Sequence, residues 1–286
     1  MSYKIITDTC CDYPANMYEK LDLEVVPLTV LYKGKNYDSY TEEWLKSMFD
    51  GLREGAVAKT AAANPQDWEN GIEPVLKAGH DALVLTFTSG LSATYQSAMI
   101  AAEELREKYP ERKIIVVDTL CASLGQGLLV WYACKKRDEG MSLEEVAAWV
   151  EEHRLNLCHW VTVDDLMYLK RGGRISTTTA LVGTMLQIKP IIHVDDNGKL
   201  VSVGKARGRK AAIKVVADKM GETGLPGEND TVFICHGDCK EDAEYLASLV
   251  KEQYGVKKVL IYYVGAVIGS HSGPGTLALF YLGKER

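Results

Sequence analysis

Ala82-Leu83-Val84-Leu85-Thr86-Phe87-Thr88-Ser89-Gly90-Leu91-Ser92-Ala93-Thr94-Tyr95-Gln96-Ser97 decides the fold. Ala82–Phe87 is a near-continuous apolar run of strand length. A hydroxyl-rich turn follows, and the amphipathic pattern of Ser92–Lys108 predicts a long helix. A strand apolar on both sides belongs in a parallel sheet covered by helices on both faces. The flanking sequence repeats the alternation. Tyr3–Thr7 and Ile114–Asp118 read as strands. Asp67–Ala78, Gly125–Glu139 and Ser142–His153 read as helices, the last capped by Ser142 with Glu145 three residues on. The first half therefore reads as a doubly wound α/β layer. In such sheets ligands bind at the carboxyl ends of the strands, here at Thr88–Ala93. Hydroxyls and free amides at a helix start suit an anion, although capping by Ser89 or Ser92 accounts for the same hydroxyls.

Leu23–Tyr32 is a second extended run, with Pro27 marking an edge or bend. Thr41–Arg53 carries Trp44, Leu45, Met48, Phe49 and Leu52 at helical spacing behind a Thr41 cap. After about residue 155 the pattern changes. Trp160–Val163 and Ile191–Val194 are strand-like, and Asp195-Asp196-Asn197-Gly198 signals a hairpin into Leu200–Val203. Lys205–Lys219 reads as a basic helix. Thr231–Cys235 and Lys258–Val264 read as strands around a helix at Lys240–Tyr254. The expectation is a two-domain α/β protein: residues 1–155 form the doubly wound, mostly parallel domain, and residues 156–286 an α+β domain with a partly antiparallel sheet.

The formal net charge of -6 over 286 residues argues against nucleic acid or an anionic membrane as a partner. No apolar stretch approaches the roughly 18 residues of a membrane span. The start shows no leader pattern, so a cytoplasmic protein without stable membrane insertion is expected. Seven cysteines among apolar neighbours fit reduced thiols. Cys235-His236-Gly237-Asp238-Cys239 lacks a second ligand pair, so no metal is expected.

Three further stretches carry possible chemistry. Lys59-Thr60-Ala61-Ala62-Ala63-Asn64-Pro65 reads as a loop before a helix. In Ile268-Gly269-Ser270-His271-Ser272-Gly273-Pro274-Gly275 a histidine sits among glycines just past a strand. That is either an exposed loop histidine or an imidazole held in one orientation. Leu169-Lys170-Arg171-Gly172-Gly173-Arg174-Ile175-Ser176, with Lys199, Lys205, Arg207, Arg209, Lys210 and Lys214, is either a solvated face or a dock for an acidic or phosphate-bearing partner. The Ser92 loop lacks the ending of a Walker loop and the final glycine of a nucleophile elbow. No acid that would orient a Ser/His pair is identifiable.

These stretches, in this order, resemble the DegV family. Ile5-Ile6-Thr7-Asp8-Thr9 looks like its opening, and Thr88–Ala98 like its Ser-Ser-Gly-Leu-Ser-Gly-Thr-Tyr-Gln-Ser-Ala signature. Leu169–Ile175, Ile188-Lys189-Pro190, Arg207-Gly208-Arg209-Lys210 and His271–Gly275 match as well. The resemblance implies a long-chain fatty acid in a tunnel between the domains. Its carboxylate is held by Thr60, Ser92 and His271, with Thr88, Ser89, Gly90, Ser272 and Gly273 supporting the pocket. Arg171, Arg174 and Arg207 meet a fatty acid kinase that makes an acyl phosphate on the bound lipid. No cofactor or metal is implied, and the carrier performs no chemistry. The rival readings are a Ser/His acyl hydrolase, a phosphotransfer subunit, or a nucleic-acid module using the Lys170–Lys214 basic patch. Two departures stand out: Ala61-Ala62-Ala63-Asn64 replaces the polar middle of the family's Lys-Thr-Ser-Gln-Pro-Ser-Pro loop, and Ala93 replaces a glycine.

Overall fold

The computed structural model describes residues 2–176 and 187–286. The first half is built on a four-stranded, all-parallel sheet. Its strands are β1 (Tyr3–Asp8), β2 (Leu23–Val26), β6 (Asp81–Thr86) and β7 (Ile114–Asp118), in the order β2-β1-β6-β7. β6 is buried at every position, as its unbroken apolar run requires. Right-handed crossovers put α1 (Ala15–Lys20), which leads leftward from β1, on one face. They put α4 (Thr94–Lys108), which leads rightward from β6, on the other. α3 (Pro65–Lys77) packs beside α4, while α6 (Leu143–His153) packs on β6 and β7. The strand order turns between β1 and β6, so a crevice opens at their carboxyl ends. The buried Asp8 spans it, its Oδ2 accepting from the Phe87 amide at 2.7 Å.

The helix starts follow their caps. Thr41 accepts from the Trp44 amide ahead of α2 (Glu42–Arg53). Ser142 and Glu145 form a reciprocal capping box. Asn64 makes the same box with Asp67, with Pro65 opening α3. Helix propensity thus explains Asn64 without reference to a ligand.

Leu23–Tyr32 and Lys59-Thr60 differ from the sequence expectation. Leu23–Tyr32 is broken at Pro27, and its second part leaves the parallel sheet. It becomes β3 (Thr29–Tyr32), the centre of a small antiparallel sheet with β4 (Lys35–Tyr37) and β5 (Ala58–Ala61). Lys59-Thr60 therefore stands on a strand, not in a loop. Period two then assigns the faces: Thr60 lies opposite the buried Val30, while Lys59 lies opposite the exposed Leu31.

The second half forms a six-stranded mixed sheet of β8 (Leu157–Thr162), β9 (Ile188–Val194), β10 (Leu200–Arg207), β11 (Thr231–His236), β12 (Lys258–Tyr263) and β13 (Leu277–Leu282). The order is β10-β9-β8-β13-β11-β12, with only the β11–β12 pair parallel. β9 and β10 join through the expected hairpin, where Gly198 adopts φ 70° and donates to Asp195 O at 2.8 Å. The basic segment at Lys205 continues this strand, and its helix, α8 (Arg209–Thr223), begins four residues later than expected. α7 (Met167–Arg171), α9 (Lys240–Tyr254) and α10 (Ala266–Ser272) complete the half.

The sequence reading missed β13 entirely. It is wholly buried because it lies between β8 and β11 with both faces covered. Ala278 and Phe280 join the core of the first half, while Leu277, Leu279 and Tyr281 join a second core beneath α8 and α9. α5 (Leu124–Asp138) packs on β8, β11 and β13 and so carries the first core across to the second sheet. Among the described residues, no helix is long and apolar enough to cross a membrane.

Candidate functional site

A cavity of about 280 Å³ lies where β6, the second sheet and α10 meet. One water needs roughly 10–15 Å³ by the same kind of measure, so this space suits a far larger guest. Phe87, Leu91, Val161, Val163, Ile192 and Phe280 are among its apolar walls. Thr60, Ser92, Arg174 and His271 bring polar groups to it.

Each of these four side chains is positioned by a different element. β5 turns Thr60 inward. α10 presents His271 in its last turn, so the histidine is neither a loop residue nor fully exposed. Thr60 Oγ1 and His271 Nε2 are 2.7 Å apart. Ser92 stands before α4, where its Oγ accepts from the Thr94 amide and lies 2.8 Å from Thr94 Oγ1. It therefore fixes the turn that leads into α4 and lines the cavity. Arg174 joins the two sides: its Nε donates to Leu91 O at 3.2 Å, beside Ser92, and its Nη1 donates to Gly172 O. Gly172 in turn lies directly under the imidazole, since a Cβ there would stand 2.2 Å from His271 Nδ1.

Burial, reinforced by the Arg174 charge, pushes the His271 pKa down to about 4. The imidazole is therefore neutral at pH 7, and Arg174 is the cation of the cluster. A neutral hydroxyl–imidazole pair beside a guanidinium is suited to an anion at the end of an apolar guest. It is not suited to acyl hydrolysis. Ser92 bonds Thr94 rather than His271, and a glycine backbone rather than a carboxylate flanks His271 Nδ1.

The depressed His271 pKa has a consequence for stability. Between about pH 4 and 6.5 the unfolded chain binds a proton there that the folded chain does not, so this residue makes stability rise with pH across that window. Buried Asp8 and Asp12, raised to about 6 and about 7, act in the opposite sense. A comparison with His271→Gln isolates the histidine: urea unfolding will show a less positive stability slope from pH 4 to 6.5 in the variant. An unchanged slope would place His271 in a solvated setting.

On the outer side of Thr60 and His271 lies a second cleft, of about 350 Å³. Thr60, Arg174 and His271 line both spaces, and Lys59, Tyr168 and Arg171 line only the outer one. Arg171 stacks over the Tyr168 ring at 4.6 Å. The polar cluster is thus a septum between an apolar interior and a basic cleft. Arg207 lines neither space and lies exposed at the end of β10.

The expected supporting residues divide. Ser272 lines the cavity, with a buried Oγ that has no partner among the described residues. Thr88, Ser89, Gly90 and Gly273 do not line it. Thr88 Oγ1 donates to Gly198 O at 3.1 Å, and a Cβ on Gly90 would stand 2.4 Å from Asn197 O. The Ser89 amide bonds Asp118, and Gly273 packs against the Tyr168 ring. The Thr88–Gly90 turn therefore clamps the β9–β10 hairpin, whose Val194 and Leu200 wall the cavity. Of the departures, Ala61 and Ala62 contribute apolar wall, Ala63 is buried in the core, and Ala93 also lines the cavity. Among the described residues no group of His, Cys, Asp and Glu is arranged to hold a metal ion.

The DegV family model, described as "Uncharacterised protein, DegV family", matches residues 2–284. The chain belongs to the DegV family. A DegV domain-containing protein of Clostridium perfringens is 44% identical over 286 residues, covering 99% of this chain and 98% of the relative. A DegV protein from Thermus thermophilus, described for its fatty acid binding, superposes with a TM-score of 0.89 at 32% identity, covering 99% of this chain and all of that one. A stearic-acid-binding protein from Eubacterium ventriosum gives 0.87 at 26% identity, covering 99% and 98%. Both of these proteins are described by the fatty acid that they bind, and neither as an enzyme.

Proposed function

We propose that this chain binds a long-chain fatty acid and presents its carboxylate to a fatty acid kinase. The carboxylate sits at Thr60, Ser92 and His271, with Arg174 supplying the positive charge. The acyl chain lies in the apolar cavity, between units formed by residues 1–155 and 156–286. The observation that carries this reading is the Thr60–His271 pair, 2.7 Å apart, standing between that cavity and a basic outer cleft. An acyl chain of about 16 methylenes gains on the order of 13 kcal/mol on transfer from water. Burying its ionised head costs several kcal/mol unless hydrogen bonds and a countercharge meet it, and the septum provides both.

The outer cleft supports the partner half of the proposal. A carboxylate at the septum is reachable from that side, where Lys59, Arg171 and Arg174 favour the phosphate of an incoming nucleotide or of an acyl phosphate product. Such a product would feed phospholipid synthesis. The seven cysteines, all free and six of them buried, fit a cytoplasmic carrier.

The two arginines test the reading separately. Arg171→Ala will retain fatty acid like the parent chain and slow acyl-phosphate formation by the kinase at least tenfold. Arg174→Ala will weaken both, because its guanidinium lines the cavity as well as the cleft. The measurements are fatty-acid retention by mass spectrometry and radiolabelled phosphate transfer. Full retention in Arg174→Ala would remove Arg174 from the carboxylate site. Unimpaired transfer in both variants would remove the kinase-facing role of the cleft.

A further inference from the structure

The end of the acyl cavity away from the septum is walled by a histidine. Val163, just past β8, clusters with Leu169 and Ile175, and the Arg174 amide donates to Leu169 O. The carboxyl end of β8 therefore lies at the polar end of the cavity. His159 lines the same cavity four residues earlier on the chain, roughly 13 Å back along the strand at 3.3 Å per residue. Phe280 of β13 lies opposite it in register, and Ala122, which leads into α5, stands at the same end. None of these three residues lines the outer cleft.

His159 has no polar atom to offer a guest. It is 2% exposed. Its Nε2 accepts from the Ala122 amide at 3.1 Å, and its Nδ1 donates to Leu157 O at 2.9 Å. An amide can only donate, so the first bond fixes the tautomer with its proton on Nδ1. Burial, reinforced by the Arg286 charge, holds the pKa well below the ordinary histidine value, and the ring stays neutral. With both nitrogens bonded to backbone, the imidazole meets the cavity as an apolar surface, edge-to-face with the Phe280 ring at 5.3 Å. Nor can it retreat. α5 presses against it at Gly125, where a Cβ would stand 2.2 Å from His159 Nε2 and 2.8 Å from Phe280 Cδ1. Gly125 lies within a regular helix, so its missing side chain serves this close approach and not a turn.

We infer that His159 sets the upper limit on acyl length, as the stop against which the terminal methyl group of the guest rests. This rests on the fatty-acid reading of the cavity and adds to it which acids are taken. A chain that stops short leaves apolar wall unfilled and loses roughly fourfold in affinity per missing methylene. A chain that is too long must break the two backbone bonds of a ring with no space behind it, in an interior that does not yield freely to added volume.

The test is an equilibrium competition of saturated fatty acids, from lauric to docosanoic, against a fluorescent fatty acid on the full chain. The readout is the affinity ratio of arachidic to myristic acid, which a purely structural role for His159 would not move. His159→Ala will raise this ratio at least fivefold. Gly125→Ala, which drives the ring into the cavity, will lower it at least fivefold. His159→Gln keeps an acceptor for the Ala122 amide in a slimmer side chain and will raise the ratio at least threefold; it decides the matter if His159→Ala does not fold. An unchanged ratio in the deciding variant, including an equal loss for every chain length, would overturn this inference and leave the proposed function standing. A parent chain that binds none of the acids would overturn both.

Discussion

His271→Ala will bind a long-chain fatty acid roughly 10- to 100-fold more weakly than the parent chain, measured by equilibrium competition against a fluorescent fatty acid. The magnitude follows from a hydrogen bond to a charged group, about 1.5–3 kcal/mol, converted at 1.4 kcal/mol per tenfold. Removing the imidazole also strips Thr60 of its partner at 2.7 Å. Thr60→Val will therefore show a loss of similar size, and the double variant will lose less than the sum, as expected for groups in direct contact. Strict additivity would mean that the two act at separate places. Stability near neutral pH will change little by comparison, because His271 stands partly exposed at the end of a short helix.

Gly172→Ala will reproduce much of this loss without touching a binding group. The backbone at Gly172 is ordinary, with φ -72° and ψ -9°, so alanine suits it conformationally. The added methyl group would stand 2.2 Å from His271 Nδ1, far inside contact distance. The imidazole must swing away and surrender its place beside Thr60. Overpacking of this kind costs about 1–3 kcal/mol, here expressed as lost affinity of about tenfold or more. Gly173→Ala is not a steric control, because Gly173 sits at φ 68° and any side chain strains that backbone. Gly172→Ser should fail as Gly172→Ala does. Unchanged affinity in Gly172→Ala would show that the orientation of His271 is not set by the glycine turn.

How much of this was legible in the sequence depended on where the information sits. The parallel sheet was readable because β6 and β7 are short, apolar and flanked by helices with ordinary caps. The Asp195–Gly198 turn fixed the β9–β10 hairpin from four residues. β13 carries the same unbroken apolar run as β6, but no helix follows Leu277–Leu282 and the run comes just after a glycine-rich motif, so the strand–helix alternation that marks β6 is missing. Thr60 reads as a loop residue because Ala61–Ala63 hide the period-two pattern, and only pairing with β3 reveals the strand. Arg174 reads as an exterior residue because a basic run looks the same from either side. Its position over Leu91 and Gly172 emerges only when residues 83 and 2 positions away meet. The apolar walls come from β8, β9, β10, β11 and β13, single residues with no local signature. The Thr88–Gly90 turn has the composition of a ligand loop, yet its backbone and hydroxyl hold the β9–β10 hairpin and do not line the cavity.

The central claim is that the cavity holds a fatty acid with its head at the Thr60–His271 septum. The most direct measurement is a pair of mass spectra, native and denaturing, of the protein purified from bacteria, run beside His271→Ala. The account predicts a mass excess in the native spectrum that vanishes on denaturation and equals one long-chain fatty acid. It also predicts that this excess is largely missing from the folded variant. A protein that carries no fatty acid and takes up none when it is supplied would contradict the account, as would a variant that retains its lipid in full.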